Sequence, residues 1–198
     1  MVRSILFCCT IWLVSSTTAV LAQEQRNPLN VRNAGVSTCK QFLDTFSQPK
    51  LEITKTAFLQ WIAGYSTAAS RASNVVDVFP INDTMELISY VALVCRESPQ
   101  ATLETAAFQG LTRLRPFWVR ESPNRLTLTW NDRKTEFYEA AVRPLQEELV
   151  QAGFEISVDG AYGNQTGNAV QSLSRQIGLQ PTPFPTGALL YALTRPSQ

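Results

Sequence analysis

The sequence predicts a mainly helical protein, in which a disulfide-braced helical bundle precedes a small three-helix domain, with a short β-hairpin between them. Apolar residues recur at helical spacing over most of the chain, two cysteines remain beyond a leader segment, and one stretch alternates between apolar and polar residues. We predict five segments: a signal peptide (1–22), a flexible N-terminal segment (23–36), the bundle (37–115), a linker or β-hairpin (116–135) and the last domain (136–198).

The first 22 residues have the pattern of a secretory signal peptide. A basic start at Met1 to Arg3 precedes an apolar run from Ile5 to Val14, and Val20-Leu21-Ala22 fits a cleavage site. The run is too short for a membrane span, which needs about 20 residues. We therefore expect cleavage after Ala22, and a periplasmic or secreted protein that has no membrane contact after cleavage.

The composition excludes several function classes. Cleavage removes Arg3 and leaves 17 − 1 = 16 basic against 16 acidic residues, whereas nucleic-acid partners require a basic excess. The chain has no histidine, which excludes histidine acid–base catalysis and the usual zinc sites. We expect no enzymatic activity, no cofactor and no metal. A glycosidase that uses only carboxylates stays open as an alternative, because it needs two convergent acids that sequence cannot locate.

The mature chain holds two cysteines, Cys39 and Cys95. In an oxidising export compartment such a pair predicts a disulfide, and the alternative is two buried free thiols. A bridge would close a loop of 95 − 39 + 1 = 57 residues. On the chain-entropy model this stabilises the fold by about 4 kcal/mol.

Four helices are predicted for the bundle, each with a start signal before apolar residues at helical spacing. Their starts are Thr38, Ile53, Asp83 and Ser98-Pro99. Glu86, three residues after Asp83, completes a capping-box pattern. The second helix is predicted to end at Ala69, and Gly64 inside it predicts a close helix crossing. Residues 71–82 are predicted to form a loop.

Short motifs in the bundle resemble two known families. Thr38-Cys39-x-x-Phe42-Leu43, Trp61-x-x-Gly64-Tyr65 and Cys95-x-x-x-Pro99 are similar to the HdeA-like periplasmic acid-stress chaperones, and also to the Rap/Tai immunity proteins of type VI secretion. The resemblance covers residues 37–114. It implies a protein partner for the bundle, and as alternative functions an acid-stress chaperone or an inhibitor of a wall-degrading effector.

The stretch after the bundle predicts a β-hairpin. Phe117-Trp118-Val119 precedes a turn at Ser122-Pro123-Asn124, and Leu126, Leu128 and Trp130 then alternate with polar residues. The alternative is an ordered linker. Trp118 or Trp130 would offer a platform for a sugar face if exposed, but burial of both is favoured.

The last domain is predicted as three helices separated by turns. The first begins at Phe137 and ends at Gly153, the second is capped by Asn164 and ends at Gly178, and Thr186 caps the third. Between the first two helices, Asp159 to Gly163 predicts a tight loop with glycines at positions of positive φ.

The motif of this domain resembles the peptidoglycan-binding domain that accompanies cell-wall hydrolases. It comprises Val142-Arg143-x-Leu145-Gln146-x-x-Leu149, Gly153-Phe154, Asp159-Gly160-x-Tyr162-Gly163-x-x-Thr166-x-x-Ala169-Val170, Gly178-Leu179 and Pro185-Thr186-x-x-x-Leu190. The resemblance implies peptidoglycan as partner. We expect an exported non-catalytic envelope protein whose ligand-binding residues are Asp159, Gly160, Tyr162, Gly163, Gln165 and Thr166. The alternative is that turn chemistry alone explains these residues and the motif only builds the fold.

Overall fold

The computed structural model describes residues 30–195, which contain seven α-helices and one two-stranded antiparallel sheet. The helices are α1 (Cys39–Ser47), α2 (Glu52–Ala72), α3 (Thr84–Glu97), α4 (Leu103–Arg113), α5 (Val142–Gln151), α6 (Asn164–Gln176) and α7 (Gly187–Thr194). The strands, β1 (Arg125–Trp130) and β2 (Arg133–Tyr138), lie between α4 and α5. This confirms the mainly helical class and the intervening hairpin. The predicted signal peptide lies outside the described residues.

The bundle begins where the sequence predicts. The Thr38 hydroxyl accepts the Gln41 backbone N–H at 3.2 Å, and the Gln41 side chain accepts the Thr38 N–H at 2.9 Å, which forms a capping box. In front of it a 3-10 helix spans Asn33–Val36, and a Cβ on its buried Gly35 would collide with the Trp61 ring. The described end of the segment expected to be flexible is therefore packed against α2.

The Cys39–Cys95 disulfide is present, as predicted. It joins the first residue of α1 to the last turn of α3, and both residues are fully buried. The bridge thus ties α1 to the central helix of the bundle.

Three local predictions in the bundle are wrong. Gly64 marks no crossing, because it is exposed and a Cβ there would meet open space. Ser98 is the C-cap of α3, and α4 begins five residues later at Leu103, with Thr102 as its N-cap, whose hydroxyl accepts the Thr105 N–H at 3.2 Å. Glu86 forms no capping box with Asp83, which caps α3 alone by accepting the Met85 N–H at 2.7 Å.

The loop that follows α2 is a buried connector between the bundle and the hairpin. Its residues from Val78 to Ile81 are buried. The Val119 N–H donates to the Asp77 carbonyl at 2.9 Å, and the Tyr138 N–H donates to the Pro80 carbonyl at 3.0 Å. Backbone hydrogen bonds thus fix the hairpin to the bundle through this loop.

The hairpin lies about eight residues later in the chain than the sequence pattern predicts. Its turn is Asn131-Asp132, whose φ values of 47° and 62° are both left-handed, as a type I′ hairpin turn requires. Phe137 and Tyr138, predicted to open α5, end β2 instead. The prediction failed because Ser122-Pro123-Asn124 was the stronger turn signal, and Asn-Asp is a weaker one than Asn-Gly.

Helix α7 packs directly on α3. A Cβ on Gly187 would collide with the Glu86 carbonyl oxygen, so the two backbones touch at this glycine. The Glu86 side chain, free of the predicted capping box, accepts the Gly187 N–H at 2.7 Å. One core cluster therefore contains buried residues from both sides of residue 136, and the chain from Val31 onward is one compact unit. The division of the chain into a bundle and a separate last domain stays a prediction.

The glycine contact gives a test of this packing. We expect Gly187→Ala to lower the free energy of unfolding by about 1–3 kcal/mol, the usual cost of overpacking, because α7 must move away from α3. Urea denaturation followed by far-UV circular dichroism measures the change. Gly64→Ala is the control and should raise the free energy by about 0.5–1 kcal/mol, because Gly64 is exposed within α2. Equal stabilities for wild type and Gly187→Ala would contradict the close contact.

Glu97 joins α3, α4 and α7 through its carboxylate. Arg113 donates two hydrogen bonds to it at 2.9 and 2.7 Å, and the Tyr191 hydroxyl donates a third at 2.7 Å. The bonds from Arg113 hold the pKa of Glu97 below its usual range. A lowered carboxyl pKa stabilises the fold above the unfolded-state pKa, and this stabilisation is lost as the pH falls through the lowered value.

We therefore expect Glu97→Gln to lower the free energy of unfolding by about 1 kcal/mol at neutral pH, since the pair is partly exposed. The difference from wild type should shrink and disappear as the pH falls through the lowered pKa of Glu97, because the wild-type carboxyl then becomes neutral as well. Denaturation curves at several pH values measure it. Asp44→Asn, which removes the exposed pair with Lys40, is the control and should change little at any pH. A difference that persists in acid would contradict the assignment.

Candidate functional site

Gln146 on α5 organises the loop between α5 and α6. It is buried, and its side-chain nitrogen lies 2.9 Å from Asp159 Oδ1, 3.0 Å from the Ala161 carbonyl and 3.1 Å from the Thr166 hydroxyl. Its side-chain oxygen accepts the Gly160 N–H at 2.8 Å. One side chain thus contacts four polar groups, three in the loop and one in the first turn of α6.

Hydrogen bonds from Arg143 and the backbone conformation of Gly160 also hold this loop. Arg143 donates to the Val158 and Asp159 carbonyls at 2.7 and 3.1 Å. Hydrogen bonds from the Ala161 N–H and from Gln146 lower the pKa of Asp159. Gly160 has φ +81°, as the sequence predicts, whereas Gly163 has φ −102° and needs no glycine for conformational reasons. Asn164 does not cap α6, because Gly163 occupies the cap position.

Tyr162 leaves the loop and packs inward. Its ring lies edge-on to Phe137 with centroids 6.3 Å apart, and its hydroxyl donates to the Pro183 carbonyl at 2.8 Å. Burial raises the pKa of this hydroxyl, so it stays neutral under all ordinary conditions. Tyr162 therefore links β2, the start of α6 and the proline-rich turn.

An open groove of about 420 Å³ lies between the hairpin, the start of α6 and the proline-rich turn. One wall is β1, one is the first two turns of α6, and the third is the turn before α7. The lining residues are Thr127, Leu128, Thr129, Trp130, Tyr162, Gly163, Asn164, Gly167, Asn168, Gln171, Pro183 and Phe184. They combine aromatic rings with amides and hydroxyls, and none of these lining residues is Asp, Glu, Lys or Arg.

A second, smaller cleft of about 270 Å³ lies on a neighbouring face of α6, lined by Phe154, Glu155, Ile156, Gln165, Asn168, Ala169 and Ser172. Gln165 belongs to this cleft and not to the groove that Tyr162 lines. Thr166 is buried and hydrogen-bonded to Gln146, so it faces neither. The structure thus separates the predicted ligand residues: Tyr162 and Gly163 line the groove, Gln165 lines the cleft, and Asp159, Gly160 and Thr166 hold the loop. Their roles in ligand binding stay predictions.

Sequence reasoning missed two residues of this region. Gln146 is part of the quoted motif, but the sequence did not show that its side chain is buried and holds the loop between α5 and α6. A polar residue between apolar Leu145 and Leu149 at helical spacing was the available signal. The other is Trp130, which is half-buried in the groove wall, against the expectation of burial. Trp118 fits that expectation better, since it packs against the core and its indole N–H donates to the Leu111 carbonyl at 2.9 Å.

Comparisons with known proteins bear on the C-terminal part. Residues 138–193 match the family described as putative peptidoglycan binding domain. The chain therefore carries a C-terminal peptidoglycan-binding domain, and this supports the predicted resemblance. Searches of curated proteins and of solved structures found no match to the chain. The resemblance of the bundle to chaperones and immunity proteins stays a prediction.

Two further findings concern residues 30–195. No helix in this range is both long enough and apolar enough to cross a membrane. The same residues contain no group of three or more Cys, Asp or Glu side chains placed to hold a metal ion.

The role of Gln146 can be tested on stability. We expect Gln146→Ala to lower the free energy of unfolding by about 2–4 kcal/mol, because the Gly160 N–H and the buried Thr166 hydroxyl lose their hydrogen bonds to Gln146. Gln165→Ala is the matched control, an exposed residue of the same type, and should stay within about 0.5 kcal/mol of wild type. Thermal and urea unfolding measure both variants. If they proved equally stable, Gln146 would not be what holds the loop.

Proposed function

We propose that the chain is an exported, non-catalytic cell-envelope protein that binds peptidoglycan through the groove between β1, α6 and the turn before α7. The observation that carries this proposal is the family match over residues 138–193, which contain two walls of the groove, α6 and the turn before α7. Binding presents the helical bundle at the cell wall, where it meets its own partner.

The chemistry of the groove supports binding rather than hydrolysis. Hydrolysis of a glycosidic bond ordinarily needs two carboxylates facing the scissile bond, and the described lining residues include none. Amide and hydroxyl groups form neutral hydrogen bonds, each worth about 0.5–1.5 kcal/mol net. Affinity for a single repeat of the wall is accordingly modest. It depends little on ionic strength, because no charged side chain lines the groove.

Co-sedimentation with purified peptidoglycan sacculi tests the proposal. We expect the wild-type protein to pellet with sacculi at low and at high salt, without releasing soluble wall fragments. Gln171→Ala removes one amide from the groove and should weaken binding about 2–10-fold, the loss of one neutral hydrogen bond. Gln176→Ala, exposed at the end of the same helix, is the control and should bind like wild type.

Two outcomes would contradict the proposal. Wild-type protein that stays in the supernatant would remove the binding function, and release of soluble fragments would remove the non-catalytic assignment. Gln165→Ala tests whether the cleft beside Phe154 takes part in binding as well as the groove. The substitution should weaken binding only if ligand also occupies that cleft.

A further inference from the structure

We propose that the groove recognises the glycan strand of peptidoglycan rather than its stem peptide, and that Trp130 of the hairpin is the residue that confers this preference. The inference rests on the proposed function. It goes beyond the family match, because Trp130 and the rest of β1 lie outside residues 138–193.

The position of Trp130 on the strand indicates a role other than core packing. Alternate residues of a strand share one face, so Leu126, Leu128 and Trp130 lie on the same side of β1. Leu126 and Leu128 pack against the core. Trp130 is half-buried, lies outside the core cluster of the described residues and lines the groove. The apolar face of β1 thus extends past the core and ends with the indole ring of Trp130 in the groove.

A second aromatic ring is fixed in the same groove. Phe184 is buried, and the Arg133 guanidinium lies 5.5 Å from its ring centroid. Arg133 is the β2 partner of Trp130 in the strand register. The hairpin end therefore contributes one ring to the groove and steadies the other through a cation–π contact. Both rings belong to walls that face the amides of Asn168 and Gln171 on α6.

This combination fits an N-acetylated sugar better than a peptide with charged ends. The C–H face of a pyranose ring is apolar and flat and packs on an aromatic ring, while hydroxyl and acetamido groups pair with neutral amides. The carboxylates of a stem peptide instead require Arg or Lys for strong binding, and none of the described lining residues is cationic. The occupant that suits the groove is a run of β-1,4-linked N-acetyl sugars.

Titration with two probes tests this inference. One is the β-1,4-linked tetramer of N-acetylglucosamine, and the other is a free stem tetrapeptide. Binding is followed by intrinsic tryptophan fluorescence and by isothermal titration calorimetry on the full chain. We expect the wild-type protein to bind the sugar tetramer and not the tetrapeptide. Trp130→Ala should weaken sugar binding about tenfold or more, the equivalent of 1.4 kcal/mol, with an unchanged melting temperature.

Two further variants sharpen the result. Trp130→Phe keeps an aromatic face and should recover part of the lost affinity. Lys134→Ala removes an exposed cation from the same hairpin and should bind the sugar like wild type. Loss of binding in Lys134→Ala would indicate that charge drives recognition and would overturn the inference.

The failures of the two proposals can be told apart. If wild-type protein pellets with sacculi but Trp130→Ala pellets equally, or if the tetrapeptide binds and the sugar does not, the glycan inference is wrong and the proposed function stands. If the sugar tetramer binds through Trp130 but sacculi do not pellet the protein, the proposed function is wrong, and what stands is that the groove binds β-1,4-linked N-acetyl sugars through Trp130. Absence of binding to sacculi and to both probes overturns both.

Discussion

The arrangement of the whole chain depends on the contact between α3 and α7. Gly187 allows the two helix backbones to touch, and Glu86 satisfies the first N–H of α7 at that point. The same α3 carries Cys95 of the disulfide and Tyr90, whose hydroxyl donates to the Gly110 carbonyl at 2.9 Å. One helix therefore holds α1, α4 and α7 together, so the C-terminal segment shares a core with the bundle.

The groove follows from this packing. Its three walls come from separate segments of the chain, and none of them could form the groove alone. The buried loop after α2 positions the hairpin, the Gln146 network positions the start of α6, and the seating of α7 on α3 positions the turn that carries Phe184. Each wall is fixed by backbone or buried side-chain hydrogen bonds. A neutral groove of this kind has little electrostatic attraction to offer, so its selectivity must come from shape and from placement of its rings and amides.

Sequence predicted the parts of the fold that local chemistry determines, namely the helix start at Thr38, the positive φ of Gly160 and the paired cysteines. It failed where a distant partner decides. Glu86 has the spacing of a capping residue but bonds to Gly187, 101 positions away along the chain. The hairpin turn was misplaced because Ser122-Pro123-Asn124 is a stronger local signal than Asn131-Asp132. In the candidate site, the loop was predicted, but the hairpin wall with Trp130 could not be, because its approach to α6 is a tertiary contact without a local signature.

The seating of α7 on α3 also limits how this domain can be reused. A transplant of residues 138–193 into an unrelated protein would carry Leu189 and Leu190, both fully buried here, without the α3 surface and without β1. The graft would arrive with an uncovered apolar helix and a groove missing one wall. An engineered wall-targeting tag built from this chain should therefore begin before Thr84 and keep everything through α7.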